Sequence, residues 1–286
     1  NMLKLLLHFA PKRTIPTLYK TTLKHWLGRY RQKNRAETVR KVFLFADEFT
    51  NYMDVEIGIK MIELLDWLGY EVIIPKHVES GRTSISKGML KVAKGVAREN
   101  VLLLKDLVTE NIPLVGIEPS CILSFRDEYP DLVGDDLKEE ALRLGKNCLL
   151  YDEFFIREIR AGRIQAEQFT DQPLKIMLHG HCHQKSLASV EPSREMLSLP
   201  VNYKVEVIPS GCCGMAGAFG YEKKHYELSM KIGEQVLFPA VRGAGENVCI
   251  SAPGTSCRQQ IKDGTGKQAL HPIEVLYEAL KCTKEK

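Results

Sequence analysis

The apolar positions of this chain fall into two alternating patterns. Short uninterrupted runs, Val42-Phe43-Leu44-Phe45-Ala46, Val72-Ile73-Ile74-Pro75 and Pro113-Leu114-Val115-Gly116-Ile117, read as strands buried on both faces. Between the first two, apolar residues recur at helical spacing, at 55, 57, 59, 61, 62, 64, 65 and 68, until Gly69 stops the helix. A helix is expected up to about Val108, and two more near 135–145 and 151–163. The second half repeats the scheme. Leu174 to Leu178, Tyr203 to Ile208 and Asn247 to Ser251 read as strands. Helical stretches run between them, to about Leu197 and from Tyr221 to about Val241, and a last helix spans Pro272 to Leu280.

The halves also match residue by residue, as an internal duplication. Gly69-Tyr70-Glu71-Val72-Ile73-Ile74-Pro75 falls where Asn202-Tyr203-Lys204-Val205-Glu206-Val207-Ile208-Pro209 falls. Ser80-Gly81 falls on Cys213-Gly214, and Pro119-Ser120-Cys121 on Thr255-Ser256-Cys257. Strand–helix alternation predicts an α/β fold of two tandem pseudo-duplicated repeats, each a small parallel sheet flanked by helices. In such sheets the loops after the strands open on one edge, where ligands bind. The expected boundaries are 1–40, 41–168 for a first repeat and 169–286 for a second.

Residues 12–40 interrupt the pattern with arginine and lysine interleaved with Tyr19, Trp26 and Tyr30. They read as a solvated basic linker helix joining an upstream domain. Asn1 before Met2 reads as a residue left by cloning, and Leu3 to Pro11 as a stub too short for a signal peptide. Over 286 residues the chain is 44% hydrophobic and 27% charged, which excludes a disordered protein. A net charge of +4 is too small to argue for nucleic acid, and none is expected as a partner. No apolar run approaches the roughly 20 residues that span a bilayer.

Eight cysteines change the picture by their placement. They are too sparse for a disulfide scaffold, so a reducing, cytoplasmic compartment is expected. Cys182, the pair Cys212-Cys213 and Cys257 each follow one strand of the second half, all on one sheet edge. Four thiols meeting there suit an iron–sulfur cluster or zinc. Glycines at 211, 214 and 217 let the backbone approach a bulky inorganic core, and an adjacent cysteine pair fits a multi-iron cluster better than a zinc knuckle. Cys148, Cys249 and Cys282 read as packing residues. His179, His181 and His183 bracket Cys182 and read as hydrogen-bonded supports, with His183 a candidate to orient a sulfur. A catalytic thiol with Cys182-His183 or His225 lacks a fixed base, and a thioredoxin-like role lacks Cys-x-x-Cys.

A cysteine loop, then Cys-Cys-Gly, then Ser-Cys, in a duplicated unit, resembles the cysteine-rich CCG domain family. That family includes subunits of heterodisulfide reductase and of anaerobic glycerol-3-phosphate dehydrogenase, and the C-terminal part of FAD-linked oxidases related to glycolate and D-lactate dehydrogenases. His181-Cys182-His183-Gln184-Lys185 with Ser210-Gly211-Cys212-Cys213-Gly214-Met215-Ala216-Gly217 matches the last group best. The resemblance covers residues 40–286. It implies an iron–sulfur cluster, of 4Fe-4S type, on Cys182, Cys212, Cys213 and Cys257, with zinc as the alternative and His181, His183 and Cys121 in support. One family cysteine is missing, because its position is Gly254. In the first repeat Glu48-Phe49-Thr50 and Glu79-Ser80 stand where thiols belong, only Cys121 survives, and no cluster is expected; Cys121 is expected near the interface between repeats. Asp47, Glu79, Arg82, Lys87 and Glu118 in these loops read as a salt-bridged surface, with a polar pocket as the alternative.

The function implied is an electron-transfer module of an FAD-linked oxidoreductase acting on a 2-hydroxy acid or related substrate. The alternative is a zinc-stabilised docking scaffold. FAD is expected only on an upstream domain, because the chain has neither a flavin fingerprint nor a ferredoxin cysteine run. The chain is then a C-terminal fragment, incomplete as an enzyme. Its expected partners are flavin and ferredoxin-like domains or subunits and an electron acceptor. Any contact with the inner face of a membrane is expected to come through them.

Overall fold

In the computed structural model the described residues are 4, 6, 8–32 and 40–281. They form two compact units, one holding Leu18–Gln168 and the other Phe169 onward together with the segment that ends at Thr17. Each unit is α/β, with one small parallel sheet flanked by helices.

The Leu18–Gln168 unit begins with α1 (Leu23–Leu27) and β1 (Arg40–Phe45). Then come α2 (Glu48–Tyr52), α3 (Val55–Trp67), β2 (Tyr70–Ile73), α4 (Leu90–Leu104), β3 (Leu114–Gly116), α5 (Pro119–Ile122), α6 (Lys138–Lys146), β4 (Cys148–Leu150) and α7 (Tyr151–Arg160). The sheet order is β2-β1-β3-β4, all parallel. Val42, Leu44 and Phe45 of the central strand are buried, as an apolar run without alternation requires. Val55, Met61, Ile62 and Leu64 of α3 are wholly buried.

The second unit carries β5 (Leu174–Leu178), α8 (Cys182–Leu187), α9 (Glu191–Leu197), β6 (Tyr203–Val207), α10 (Tyr226–Gln235), α11 (Leu237–Gly243), β7 (Val248–Ser251), α12 (Thr255–Thr265) and α13 (Pro272–Glu278). Its order is β6-β5-β7, also parallel. Both sheets therefore place their first strand between the second and the third, which the duplication demands.

The departures from the sequence reading have local causes. The stretch expected as one helix from Tyr221 breaks at Val236, because Pro239 cannot donate to the carbonyl four residues back. The helix after β5 breaks in the same way, and Pro192 starts α9. Strand β4 escaped the pattern because three residues, Cys148-Leu149-Leu150, are too few to show a period. The basic linker helix is reduced to α1, with residues 28–32 irregular and 33–39 outside the described residues.

Arg13 corrects the reading of that segment most sharply. Its side chain is wholly buried inside the second unit. Nε donates to the Gly220 carbonyl at 2.7 Å, Nη2 to Ser229 Oγ at 2.7 Å, and Nη1 pairs with Asp263 at 3.4 Å. A short bridge between Phe9 and Glu222 adds to this anchor.

Candidate metal centre

The four thiols arrive from three strand ends. Strand β5 ends at Leu178, and after His179-Gly180 the helix α8 starts at Cys182. His181 caps it, with Nδ1 accepting from the His183 amide at 3.2 Å. After β6 the chain runs through Cys212-Cys213 into Gly214, whose φ of 95° suits only glycine without strain. A Cβ there would also overlap the Ser229 carbonyl and lie 3.1 Å from Ile232. Ala216 sits at φ 43°, a strained value for a residue with a side chain. After β7, Cys257 lies in the first turn of α12.

These elements bring the thiols into a continuous chain of contacts. The free thiol of Cys182 lies within hydrogen-bonding reach of Cys212, Cys212 of Cys213, and Cys213 of Cys257, which His179 also contacts. Cys213 and Cys257 are buried, Cys182 is half-buried and Cys212 is exposed, so the site is closed at one end and open at the other. Sulfur-to-sulfur hydrogen bonding sets the charge. Cys182 is held well above the usual thiol range because it donates to Cys212, and Cys213 likewise because its one proton is shared between Cys212, the stronger influence, and Cys257. Cys212 and Cys257 are held far below that range as the acceptors. Four thiols this close do not all ionise without added positive charge, which a bound metal provides.

The surrounding groups hold the loop and supply donors. The amides of Gly214 and Met215 point at the sulfurs of Cys212 and Cys213, at 3.3 and 3.5 Å. Lys185 Nζ donates to the carbonyls of Ser210 and Gly211 at 2.8 and 2.6 Å and places a cation beside Cys182. Gln260 Nε2 donates to the carbonyls of Cys213 and Ser229.

His179 is fully buried, and a ring nitrogen lies within 4.8 Å of both the Cys213 and the Cys257 sulfur. Its Nδ1 meets Ser210 Oγ at 2.7 Å, its ring contacts the Cys257 thiol, and Nε2 has no nitrogen or oxygen partner among the described residues. A buried ring nitrogen that faces the Cys213 and Cys257 thiols fits a thiophilic metal group.

Of the residues proposed in support, His181 is nearly buried and its ring fills the space that a side chain on Gly254 would need. His183 stacks on His181, with centroids 5.7 Å apart and planes 18° apart. Cys148 is buried in β4 and Cys249 is half-buried in β7; Cys282 lies outside the described residues. Sequence alone makes His179 a support like its neighbours. Its place at the end of a buried strand is the available signal of a different role.

Cys121 lies in the other unit, in a counterpart of this arrangement. Asp47 caps α2 as His181 caps α8, accepting from the amides of Phe49 and Thr50 at 2.8 and 3.0 Å and from Thr50 Oγ1 at 2.7 Å. Glu48 takes the position of Cys182 and accepts from the amide and the hydroxyl of Ser80, at 2.9 and 2.7 Å. Asp47, Glu118, Ser80 and Cys121 are all buried, so the expected salt-bridged surface is instead an internal polar network at those positions. Asp47, Glu48 and Cys121 place donor atoms within 4.8 Å of one another. Burial, then the neighbouring Glu48, pushes Asp47 up to about 8, and burial pushes the Cys121 thiol up as well.

No family model matches the chain. It is homologous to curated oxidoreductase proteins. D-2-hydroxyglutarate dehydrogenase of Escherichia coli (strain K12) is 27% identical over 277 residues, which cover 95% of this chain and 26% of that protein. A subunit of the anaerobic glycerol-3-phosphate dehydrogenase of the same strain is 28% identical over 273 residues, 94% of this chain and 66% of the relative. Lactate utilization protein A of Bacillus subtilis (strain 168) is 27% identical over 248 residues, 82% of this chain and 98% of the relative. The chain thus spans about a quarter of the dehydrogenase named first. This set of relatives agrees with the CCG-type resemblance carried by the cysteine loops.

Proposed function

We propose that this chain is the electron-transfer module of a larger oxidoreductase, with an iron–sulfur cluster of 4Fe-4S type held by Cys182, Cys212, Cys213 and Cys257. The observation that carries the reading is the continuous contact of these four thiols, delivered by three loops of one sheet edge. The homology to two kinds of dehydrogenase protein supports an electron-transfer role. An iron–sulfur cluster supplies one-electron chemistry at such a site.

The protein's own groups are suited to this task. Buried Cys213 and Cys257 keep water from one side, and exposed Cys212 leaves the other side open to a partner's redox centre. Lys185 and the amides of Gly214 and Met215 offset negative charge on the sulfurs. The substrate is a 2-hydroxy acid or a related compound, oxidised by FAD on an upstream domain or subunit, and a ferredoxin-like part delivers the electrons here. The seven described cysteines are all unpaired, which fits the reducing cytoplasm. No described helix is long and apolar enough to cross a membrane.

Anaerobic purification followed by metal analysis and an absorption spectrum tests the reading. Iron and sulfide with a brown chromophore are expected, and Cys213→Ser should remove them. A colourless anaerobic protein with stoichiometric zinc would replace the reading with a zinc-stabilised scaffold.

A further inference from the structure

We infer that His179 is itself a ligand of this metal group, through Nε2, and replaces the thiolate that Gly254 fails to supply. The inference rests on the metal-binding reading of the site and adds a nitrogen donor to it.

Three observations converge. First, the imidazole is fully buried, a ring nitrogen lies within 4.8 Å of the sulfurs of both Cys213 and Cys257, and on that side the ring contacts the Cys257 thiol. A buried ring nitrogen that faces only sulfur has weak hydrogen-bond partners, and a thiophilic metal would use its lone pair. Second, the other nitrogen is already positioned. Ser210 Oγ lies 3.5 Å from the Ile208 carbonyl and 2.7 Å from His179 Nδ1. When the hydroxyl gives its proton to that carbonyl, Oγ accepts from Nδ1–H, and the neutral ring turns the lone pair of Nε2 toward the sulfurs. Metal-bound histidines are commonly fixed in this way through their second nitrogen. Third, the place of the missing thiol is taken. A Cβ on Gly254 would lie 3.3 Å from Cys257 Sγ, so that position borders the sulfurs, but the His181 ring fills the space a side chain there would need.

His181 is the rival donor, and its geometry is less suited. Its Nδ1 caps α8 and its ring stacks on His183, and it is His179, not His181, whose ring nitrogen groups within 4.8 Å of both the Cys213 and the Cys257 sulfur. It shapes the wall of the site, while His179 faces into it from the strand end. Ser210 then has a positioning role, because it selects the tautomer of His179.

The test reads the metal's neighbours directly. The protein is purified anaerobically, its metals are quantified, and X-ray absorption is recorded at the edge of the metal found. With 15N-histidine labelling, pulsed EPR is added for a paramagnetic iron state. The expected result is a mixed sulfur and nitrogen shell, with one strongly coupled histidine nitrogen. In His179→Cys the nitrogen should vanish while the metal stays. In His181→Gln and His183→Gln it should persist. If His179→Cys does not fold, the persistence of the nitrogen in both other variants carries the assignment.

An all-sulfur shell in the wild type would overturn the inference, as would a nitrogen that survives in His179→Cys or disappears in His181→Gln. Iron with an all-sulfur shell would overturn it and leave the proposed function standing. Zinc with one histidine nitrogen would do the reverse, and a protein that binds neither metal anaerobically would overturn both.

Discussion

Gly254 and His181 occupy one volume, and a double-mutant cycle measures how strongly. Gly254 has φ −78° and ψ 135°, so alanine fits its backbone without strain. By itself that change lowers the entropy of the unfolded chain and stabilises by about 0.4–1 kcal/mol. In the native protein, however, the new methyl would overlap His181 Cδ2 and lie 3.2 Å from Nε2 and 3.3 Å from Cys257 Sγ. The ring is pinned by its cap bond to His183 and has little room to move. Overpacking of this kind costs about 1–3 kcal/mol, so Gly254→Ala should destabilise by about 1–2 kcal/mol net. His181→Ala removes the cap and should cost about 1 kcal/mol. With the ring gone, Gly254→Ala should become neutral or stabilising, a coupling of about 1–3 kcal/mol. Both tryptophans, Trp26 and Trp67, lie in the other unit, so their fluorescence does not follow this one. Hydrogen exchange of the β5–β7 amides with denaturant, in reduced protein stripped of metal, follows it. A Gly254→Ala effect of the same size with and without His181 would refute the shared volume.

Three further outcomes are expected. Gly214→Ala should destabilise the second unit by about 2–5 kcal/mol, from the positive φ and the overlap with the Ser229 carbonyl, and should lower the metal content of the purified protein. Arg13→Met removes a buried partner of Asp263, whose side chain is only 3% exposed; a loss of about 3–5 kcal/mol, read by the same exchange experiment, is expected. In the first unit, Asp47 raised to about 8 keeps a proton that the unfolded chain has released, so its contribution is full below about pH 4 and is lost as pH rises through about 8. His77, lowered to about 4 by burial, contributes above about pH 6.5 and loses that contribution as pH falls toward 4. The two slopes oppose each other from about pH 4 to 6.5. Stability by tryptophan fluorescence should therefore be nearly flat there, then fall by about 2 kcal/mol up to pH 8, and Asp47→Asn should abolish that fall.

The alternation of apolar runs and helical periods made the two parallel sheets legible, because strands such as Val42–Phe45 are buried on both faces and carry no polar interruption. The thiols were legible for a similar reason: parallel topology sends every strand-end loop to one edge. What escaped depends on tertiary contacts. Arg13 has the sequence context of a solvated basic stretch, and partners more than 200 residues away, Gly220, Ser229 and Asp263, make it a core residue. Asp47 and Glu118 read as surface charges because nothing local marks their burial. The orientation of the His179 ring depends on Ser210, 31 residues later and on another loop.

The two units show why equivalent edges have separate chemistry. At the first, Glu48 stands for Cys182, Ser80 for Cys213, and Cys121 for Cys257. Ser80 gives both its amide and its hydroxyl to Glu48, and its hydroxyl also accepts from the Arg82 amide. Tyr129 fixes the Ser80 carbonyl at 2.9 Å, and Asn100 fixes that of Glu79 at 2.7 Å. The oxygens there are engaged by donors the protein itself supplies. At the second edge the sulfurs have mainly each other as partners, two of them are held above the usual thiol range, and the buried His179 ring contacts Cys257. Sulfhydryls are weak hydrogen-bond formers, so this arrangement holds its loops together far less firmly than oxygen does. The same scaffold thus gathers hydrogen-bonded oxygens at one edge and, at the other, thiols and an imidazole whose chemistry suits a thiophilic metal.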